Sequence, residues 1–285
     1  LVQQMQHPPR NPDDKVSPNP DVPLPIFALG SGSDYSSFID HLGIASLDIG
    51  FGGESDGTQY HSRYDDFYWY SHFGDPSFEY GVALAKVGGH AVLRFADAGI
   101  LPYTFTGFAK HVSDYTNEIE KLNARMHKQT AEKNALIKED AFKLAADPTQ
   151  KYVAPGHEAA VPALDFKPLD EAVARLEKAA HAYDAALAAH DGDISRATAA
   201  KLNETLISTE RQLLYSKGLP KRDWYKHMIY APGYYTGYGV KTLPGIREAV
   251  EQRDWDTARQ YINIVAGVLN DFSGRVEQAT ALLKS

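Results

Sequence analysis

The chain contains no cysteine among its 285 residues. Disulfide bonds, cysteine-based zinc sites and thiol nucleophiles are therefore all excluded. The sequence also lacks any run of about 18 consecutive apolar residues, which is the length that a membrane-spanning helix needs. We therefore expect no membrane segment in this chain.

Excess positive charge is missing as well. Lys and Arg number 29 against 37 Asp and Glu, which gives a formal net charge of -8, and the basic residues form no stripe. Because nucleic-acid binding depends on clustered positive charge, we expect no nucleic-acid partner. With 43% hydrophobic and 11% aromatic residues, the chain has enough apolar material to bury one large core or two ordinary ones.

The chain begins at Leu1 without a methionine, and no basic and apolar segments typical of a signal peptide follow. We interpret it as the C-terminal piece of a longer protein. Residues 7–27 are rich in proline, which predicts a loop or an extended surface segment.

The N-terminal third predicts the edge of an α/β sheet. Ser33 or Asp34 is placed to cap a short helix over residues 35–41, which Gly43 ends. Residues 44–49 (Ile-Ala-Ser-Leu-Asp-Ile) have the composition of a strand. Since one strand cannot form a sheet, we expect most of that sheet to lie outside this chain.

A glycine-rich loop at residues 50–57 and a long helix follow the predicted strand. Pro76 predicts the start of this helix, which extends to about Leu101 before the next proline. Gly88 and Gly89 in its interior are each unfavourable by about 1 kcal/mol relative to alanine. We therefore expect close packing against another element at these glycines.

The remainder of the chain predicts an all-α bundle, and the protein is expected to be mostly helical overall. Apolar side chains recur there at steps of three and four, as in amphipathic helices. We place the domain boundary near residue 105, which divides the chain into residues 1–105 and 106–285. Helices are predicted from residue 107, from residue 169, over residues 194–217 and over residues 255–283.

A tyrosine- and glycine-rich segment at residues 230–239 interrupts the bundle. Tyrosines on such loops often contact ligands, because the ring offers area and the hydroxyl offers direction. A plain aromatic packing loop fits the same sequence about as well.

His61 is the strongest candidate for a metal ligand among the 11 histidines. It follows Tyr60 at the end of the glycine-rich loop, although a single histidine cannot hold a metal alone. The sequence contains no His-Glu-x-x-His motif and no Gly-x-Ser-x-Gly elbow. Residues 30–33 (Gly-Ser-Gly-Ser) lack the continuation of a phosphate-binding loop, which favours a helix-capping turn.

Several short motifs occur in an order that resembles the M28-type zinc peptidase family of glutamate carboxypeptidase II, which the transferrin receptor shares. The resemblance runs from about Leu29 to the C-terminus, and its helical region is similar to the family's dimerisation domain. The motifs are Gly30-Ser31-Gly32-Ser33-Asp34, Leu42-Gly43-Ile44-Ala45-Ser46, Tyr60-His61-Ser62, Asp75-Pro76, Leu101-Pro102, Tyr230-Ala231-Pro232 and Pro244-Gly245-Ile246.

The resemblance implies a co-catalytic exopeptidase with two zinc ions and a peptide substrate. His61 matches a zinc ligand, and Tyr60 matches a tyrosine that donates a hydrogen bond to the tetrahedral oxyanion. Tyr238 matches a tyrosine that binds the free carboxylate of the substrate, and Gly32 and Ser33 lie in a substrate-binding segment. The other ligands and the general base lie upstream in the family, so we expect this fragment alone to be inactive.

The resemblance further implies an exported protein, periplasmic or extracellular, that forms a homodimer through the helical domain. It also implies an altered specificity. Two arginines that favour acidic residues in the family match Asp48 and Gly50, a lysine beside the carboxylate-binding tyrosine matches Gly237, and an asparagine matches Ser33. We therefore expect a reduced preference for acidic side chains.

The alternative is a non-catalytic binding and dimerisation protein of the transferrin-receptor type. Retention of both Tyr60 and His61 favours the enzyme, since a protein without metal has no need of the ligand.

Overall fold

The computed structural model describes residues 28–51, 59–190, 192 and 194–285. It divides into two compact units. The smaller unit is built around Leu47–Pro102, and the larger unit combines Leu29–Ser46 with Tyr103–Ser285. The predicted glycine-rich loop lies mostly outside the described residues, and so does the proline-rich segment at residues 7–27.

The smaller unit contains one long helix, α1 (Glu79–Ala96). A single helical turn at Phe67–Trp69 and a π-helical turn at Tyr70–Gly74 precede it. The helix is shorter than predicted at both ends. Asp75 explains the late start, because its carboxylate accepts the backbone N–H of Gly81 at 2.8 Å and so caps the first turn.

The close packing expected at Gly88 and Gly89 is not observed, since a Cβ placed on either glycine meets no described atom within 4 Å. Residues 44–49 form no strand among the described residues. A strand exists only through backbone hydrogen bonds to a neighbour, and no described segment pairs with these residues. The α/β edge therefore stays a prediction, whereas the mostly helical character is confirmed.

The larger unit is a helical bundle around α6 (Trp255–Leu283), which has the predicted bounds. The other α-helices of more than four residues are α2 (Thr106–Lys138), α3 (Lys167–Ala188), α4 (Arg196–Ile207) and α5 (Pro244–Glu251), and a single helical turn lies at Ala141–Leu144. Helix α6 packs most extensively on α3 and also contacts α4 and α5. Helix α2 packs on α3 and α5.

The bundle core consists of apolar side chains at the predicted helical spacing. Leu169, Leu176 and Tyr183 of α3 are fully buried, and so are Val265 and Leu269 of α6. Burying a large apolar side chain contributes about 1.5–3 kcal/mol. The bundle is therefore held chiefly by the α3–α6 seam.

The helix predicted over residues 194–217 ends early, at Ile207, and a 3-10 turn at Glu210–Leu213 follows. Hydroxyl groups compete for its last carbonyls: Ser208 donates to the carbonyl of Thr205, and Thr209 donates to that of Leu206, each at 2.8 Å.

Residues 230–242 form a β-hairpin in the larger unit. Strand β1 (Tyr230–Pro232) pairs antiparallel with β2 (Val240–Thr242), with Ala231 opposite Lys241. Helix α5 follows directly and was not predicted. None of the helices in the described part of the chain combines the length and the apolar character that a bilayer-spanning segment needs.

Candidate active site

The Gly30–Ser33 segment forms a tight turn ahead of a π-helical turn at Ser37–Leu42. Gly30 and Gly32 have φ angles of 119° and 95°, which glycine adopts far more readily than other residues. The hydroxyl of Tyr35 donates to the carbonyl of Ser31, and the backbone N–H of Ser36 donates to the carbonyl of Ser33 at 3.1 Å. Gly32 and Ser33 are exposed on this turn.

The tip of the hairpin, Gly233–Gly239, is called the tyrosine loop below. It carries Tyr234, Tyr235 and Tyr238, which are all exposed. The backbone N–H of Gly233 donates to the carbonyl of Gly239 at 2.9 Å and closes the loop. A Cβ on Gly233 would lie 2.0 Å from Oγ1 of Thr236, so this position requires glycine.

The turn and the tyrosine loop lie against each other. A Cβ on Gly30 would lie 2.8 Å from Cβ of Tyr230, and one on Gly32 would lie 4.0 Å from Cβ and Cδ1 of Tyr238. Two of the substrate-binding residues expected from the resemblance, Gly32 and Tyr238, are therefore neighbours although about 200 positions separate them. Ser33 follows Gly32 on the same turn.

Tyr60 and His61 lie in the smaller unit and contact each other. Their rings stack with centroids 3.9 Å apart and an interplanar angle of 20°. His61 has a left-handed φ of 59°, and its backbone N–H donates to Oδ2 of Asp65 at 3.3 Å. Asp66 caps the next turn by accepting the N–H of Trp69 at 2.8 Å. Asp65 and Asp66 thus shape the backbone around His61.

The described residues supply only part of a zinc site. They contain no group of three or more His, Asp or Glu side chains placed to hold one metal ion, whereas a catalytic zinc takes three protein ligands. His61 is therefore a single candidate ligand, and the described residues do not form a zinc site by themselves.

Three of the positions that depart from the family pattern carry no positively charged side chain. Asp48 and Gly50 are exposed, and Gly237 lies within the tyrosine loop with a φ of 57°. Lys241 is the only cation between Tyr230 and Thr242, and its Nζ contacts both carboxylate oxygens of Glu251, at 2.8 and 3.0 Å.

A buried ion pair beneath the tyrosine loop was not found from sequence. Nη2 of Arg222 lies 2.5 Å from Oε2 of Glu248, and each side chain is only 11% exposed. The residues are 26 positions apart on segments with no shared motif, so no sequence pattern pointed to them.

Asp40 is a second buried group near this turn. It is fully buried, and a Cβ on Gly30 would lie 3.3 Å from its Oδ1. Burial raises the pKa of Asp40 from 3.8 to about 8, although the positive charge of Arg222 acts in the opposite direction. Burial therefore favours the protonated form of Asp40.

Comparison with known proteins gives one domain match. Residues 164–277 match the transferrin receptor-like dimerisation domain. This range extends from the start of α3 to most of α6, and it includes the hairpin.

Relatives with assigned names match a longer part of the chain. A probable glutamate carboxypeptidase of Arabidopsis thaliana is 32% identical over 78% of this chain and 27% of its own length. One of Arthroderma benhamiae is 31% identical over 86% of this chain and 30% of its own length. An aminopeptidase of Rattus norvegicus is 26% identical over 89% of this chain and 31% of its own length.

A more distant relative, 22% identical over 84% of this chain and 27% of its own length, is named an inactive zinc metalloprotease of Schizosaccharomyces pombe. The chain thus spans about a third or less of the length of the relatives that it matches.

Proposed function

The chain belongs to the family of the glutamate carboxypeptidases and the transferrin receptor and matches its C-terminal portion, and from this premise we propose that the full-length protein is a two-zinc exopeptidase. Its substrates are peptides or dipeptides with a free C-terminal carboxylate. The ligands other than His61 and the general base come from sequence upstream of this chain, and this chain alone is inactive.

The observation that carries the proposal is the contact between Gly32 and Tyr238. Two segments that are distant in sequence, both expected to bind substrate, lie side by side in the larger unit. A tyrosine hydroxyl donates one directed hydrogen bond, which suits a substrate carboxylate. A Cβ on Gly32 would lie 4.0 Å from Cδ1 of Tyr238, so the turn backbone lies beside that ring.

In this proposal, Tyr60 acts on the scissile carbonyl. Hydrolysis breaks the C–N bond, the hydroxyl of water adds to the carbonyl carbon, and the amine leaves with a proton. The carbonyl oxygen becomes negative when water adds, and the Tyr60 hydroxyl donates a hydrogen bond to it. The Tyr60 side chain is 63% exposed, so its hydroxyl is accessible to substrate.

The specificity follows from charge. No cation replaces the family's lysine at Gly237, and Lys241 is engaged by Glu251. Because an acidic substrate side chain needs a charged partner to offset its desolvation, this site has a reduced preference for acidic residues. The full-length protein forms a homodimer through the matched dimerisation domain and is exported.

A second candidate function is that of a non-catalytic, transferrin-receptor-like binding and dimerisation protein. Two observations favour it: the domain match at residues 164–277 and the relative named inactive.

Metal analysis of the purified full-length protein, followed by kinetics, tests the two candidates. The enzyme predicts two zinc ions per chain and hydrolysis of neutral dipeptides at least as efficient as that of N-acetyl-Asp-Glu. Absence of zinc together with absence of hydrolysis would overturn the enzyme and leave the receptor-like function as the candidate. A strong preference for N-acetyl-Asp-Glu would leave the enzyme standing but overturn its proposed specificity.

A further inference from the structure

We propose that Arg222 and Glu248 are positioning residues that hold the tyrosine loop in the conformation that binds the substrate carboxylate. This inference rests on the proposed function of Tyr238. Neither residue lies in a motif of the family resemblance, and neither side chain is assigned to contact substrate.

The carboxylate of Glu248 joins the loop to the ion pair. Its Oε1 accepts the backbone N–H of Tyr234 at 2.6 Å, while its Oε2 receives Nη2 of Arg222 at 2.5 Å. One carboxylate therefore fixes the first residues of the tyrosine loop and the guanidinium at the same time.

The guanidinium of Arg222 holds the strand that leads into the loop. Its Nη1 donates to the carbonyl of Pro232, the last residue of β1. Its Cζ also lies 5.7 Å from the ring centroid of Tyr234 and 5.5 Å from that of Tyr225, within the range of cation–π contacts. Arg222 thus contacts both the strand end and the first aromatic ring of the loop.

The hairpin needs this support because its own strands are short. β1 and β2 have three residues each, and an isolated two-stranded hairpin is marginally stable at best in water. The loop between them contains three glycines, which have the largest backbone freedom to lose. Without an external anchor, the position of Tyr238 is poorly defined.

Burial strengthens the Arg222–Glu248 ion pair and makes the loss of either partner unfavourable. Both partners are only 11% exposed, so removal of one leaves the other as a buried, unpaired charge. Burial raises the pKa of the nearby Asp40 to about 8, which disfavours its charged form and weakens its attraction for Arg222. The charged partner within hydrogen-bond distance of Arg222 is Glu248.

The test uses the full-length protein with Glu248→Ala and Glu248→Gln. We expect Glu248→Ala to raise KM for a neutral dipeptide with a free C-terminal carboxylate by about tenfold while kcat changes far less. Glu248→Gln rescues part of this loss, because the amide oxygen still accepts the N–H of Tyr234. The matched control is Glu277→Gln, which removes only the exposed pair with Arg175 and leaves KM nearly unchanged.

Amide hydrogen exchange gives a readout that does not depend on catalysis. Glu248→Ala accelerates exchange at residues 233–239, whereas amides in the middle of α6 keep the wild-type rate. The wild-type full-length protein could lack peptidase activity while Glu248→Ala still accelerates exchange at residues 233–239. That result would refute the proposed function but retain the structural anchor. An active wild type whose Glu248→Ala variant keeps KM and exchange unchanged, or loses only kcat, would overturn the inference. If Glu248→Ala accelerates exchange throughout α6, that variant is globally destabilised. The inference is then judged from Glu248→Gln, by its KM, its kcat and its exchange at residues 233–239.

Discussion

The carboxylate of Asp184 accepts the backbone N–H of Phe105 at 2.9 Å and that of Thr106 at 3.0 Å. Asp184 lies on α3, and the two N–H groups belong to the first turn of α2. Phe105 stands at the N-cap position but makes no side-chain capping bond. The cap of α2 is therefore supplied by a residue 79 positions away from Phe105, which ties the start of α2 to α3.

Replacing Asp184 with alanine tests this cap. Because two helix-terminal N–H groups lose their acceptor, we expect the free energy of unfolding to fall by about 1–2 kcal/mol in urea titrations. The control is Asp114→Ala in α2, the helix that Asp184 caps, because the exposed i,i+4 pair of Asp114 with Lys110 is worth about 0.3–0.5 kcal/mol. Equal losses in the two variants would show that Asp184 is not a cap.

The buried Asp40 predicts a pH dependence of stability. Neither carboxylate oxygen has a hydrogen-bond partner among the described residues, and the backbone carbonyl accepts the N–H groups of Lys226 and His227. Burial raises the pKa of Asp40 from 3.8 to about 8, against the attraction of Arg222. The unfolded chain has the ordinary value.

Between these two pKa values the folded protein keeps a proton that the unfolded chain has released. The free energy of unfolding therefore falls as pH rises through this window, with a limiting slope of about 1.4 kcal/mol per pH unit. Asp40→Asn removes this contribution, so its stability relative to the wild type should increase from pH 5 to about pH 8. Asp114→Asn serves as the exposed control, and parallel pH profiles for wild type and Asp40→Asn would contradict the prediction.

Replacement by alanine should have opposite effects on stability at two glycines of the bundle. A Cβ on Gly245 would lie 2.2 Å from Cδ1 of Tyr261, whereas one on Gly267 meets no described atom within 4 Å. Gly245→Ala forces α5 away from α6 and should destabilise by about 1–3 kcal/mol. Gly267→Ala gains helix propensity in α6 and should stabilise by about 0.5–1 kcal/mol. Thermal unfolding of both variants measures the signs, and a destabilising Gly267→Ala would show that another surface packs on that face.

The sequence predicted the bundle where the signal was local and periodic. The apolar spacing of residues 255–283, with Asp254 accepting the N–H of Thr257 at its start, defined α6 to the residue. The strand predicted at residues 44–49 stays a prediction, because its composition does not supply the neighbouring strand with which it would pair. Helix α4 ended early because the hydroxyls of Ser208 and Thr209 bind its last carbonyls, a competition that a count of apolar positions does not include.

The candidate site divides in the same way. Tyr60 and His61 stand in a short motif, and Tyr238 lies in the tyrosine- and glycine-rich segment, so a resemblance identifies them. Arg222 and Glu248 have no such motif, because their pairing arises only when the hairpin folds over α5. Asp184 is similar, since its acceptor role depends on how α3 meets the start of α2. Contacts between segments that are distant in sequence therefore cannot be predicted from patterns within a single segment.

Gly237→Lys tests whether missing charge sets the specificity. The position has open space, since a Cβ there meets no described atom within 4 Å, but its φ of 57° is unfavourable for lysine by about 1–2 kcal/mol. Gly237→Gln carries the same backbone strain without the charge and is therefore the matched control. We expect lysine, relative to glutamine, to raise the ratio of kcat/KM for a C-terminal glutamate over a neutral residue about tenfold, as one charge-assisted hydrogen bond would. The gain should shrink at high salt, because salt screens exposed charges. Equal ratios for the two variants in an active enzyme would show that residue 237 does not face the substrate side chain.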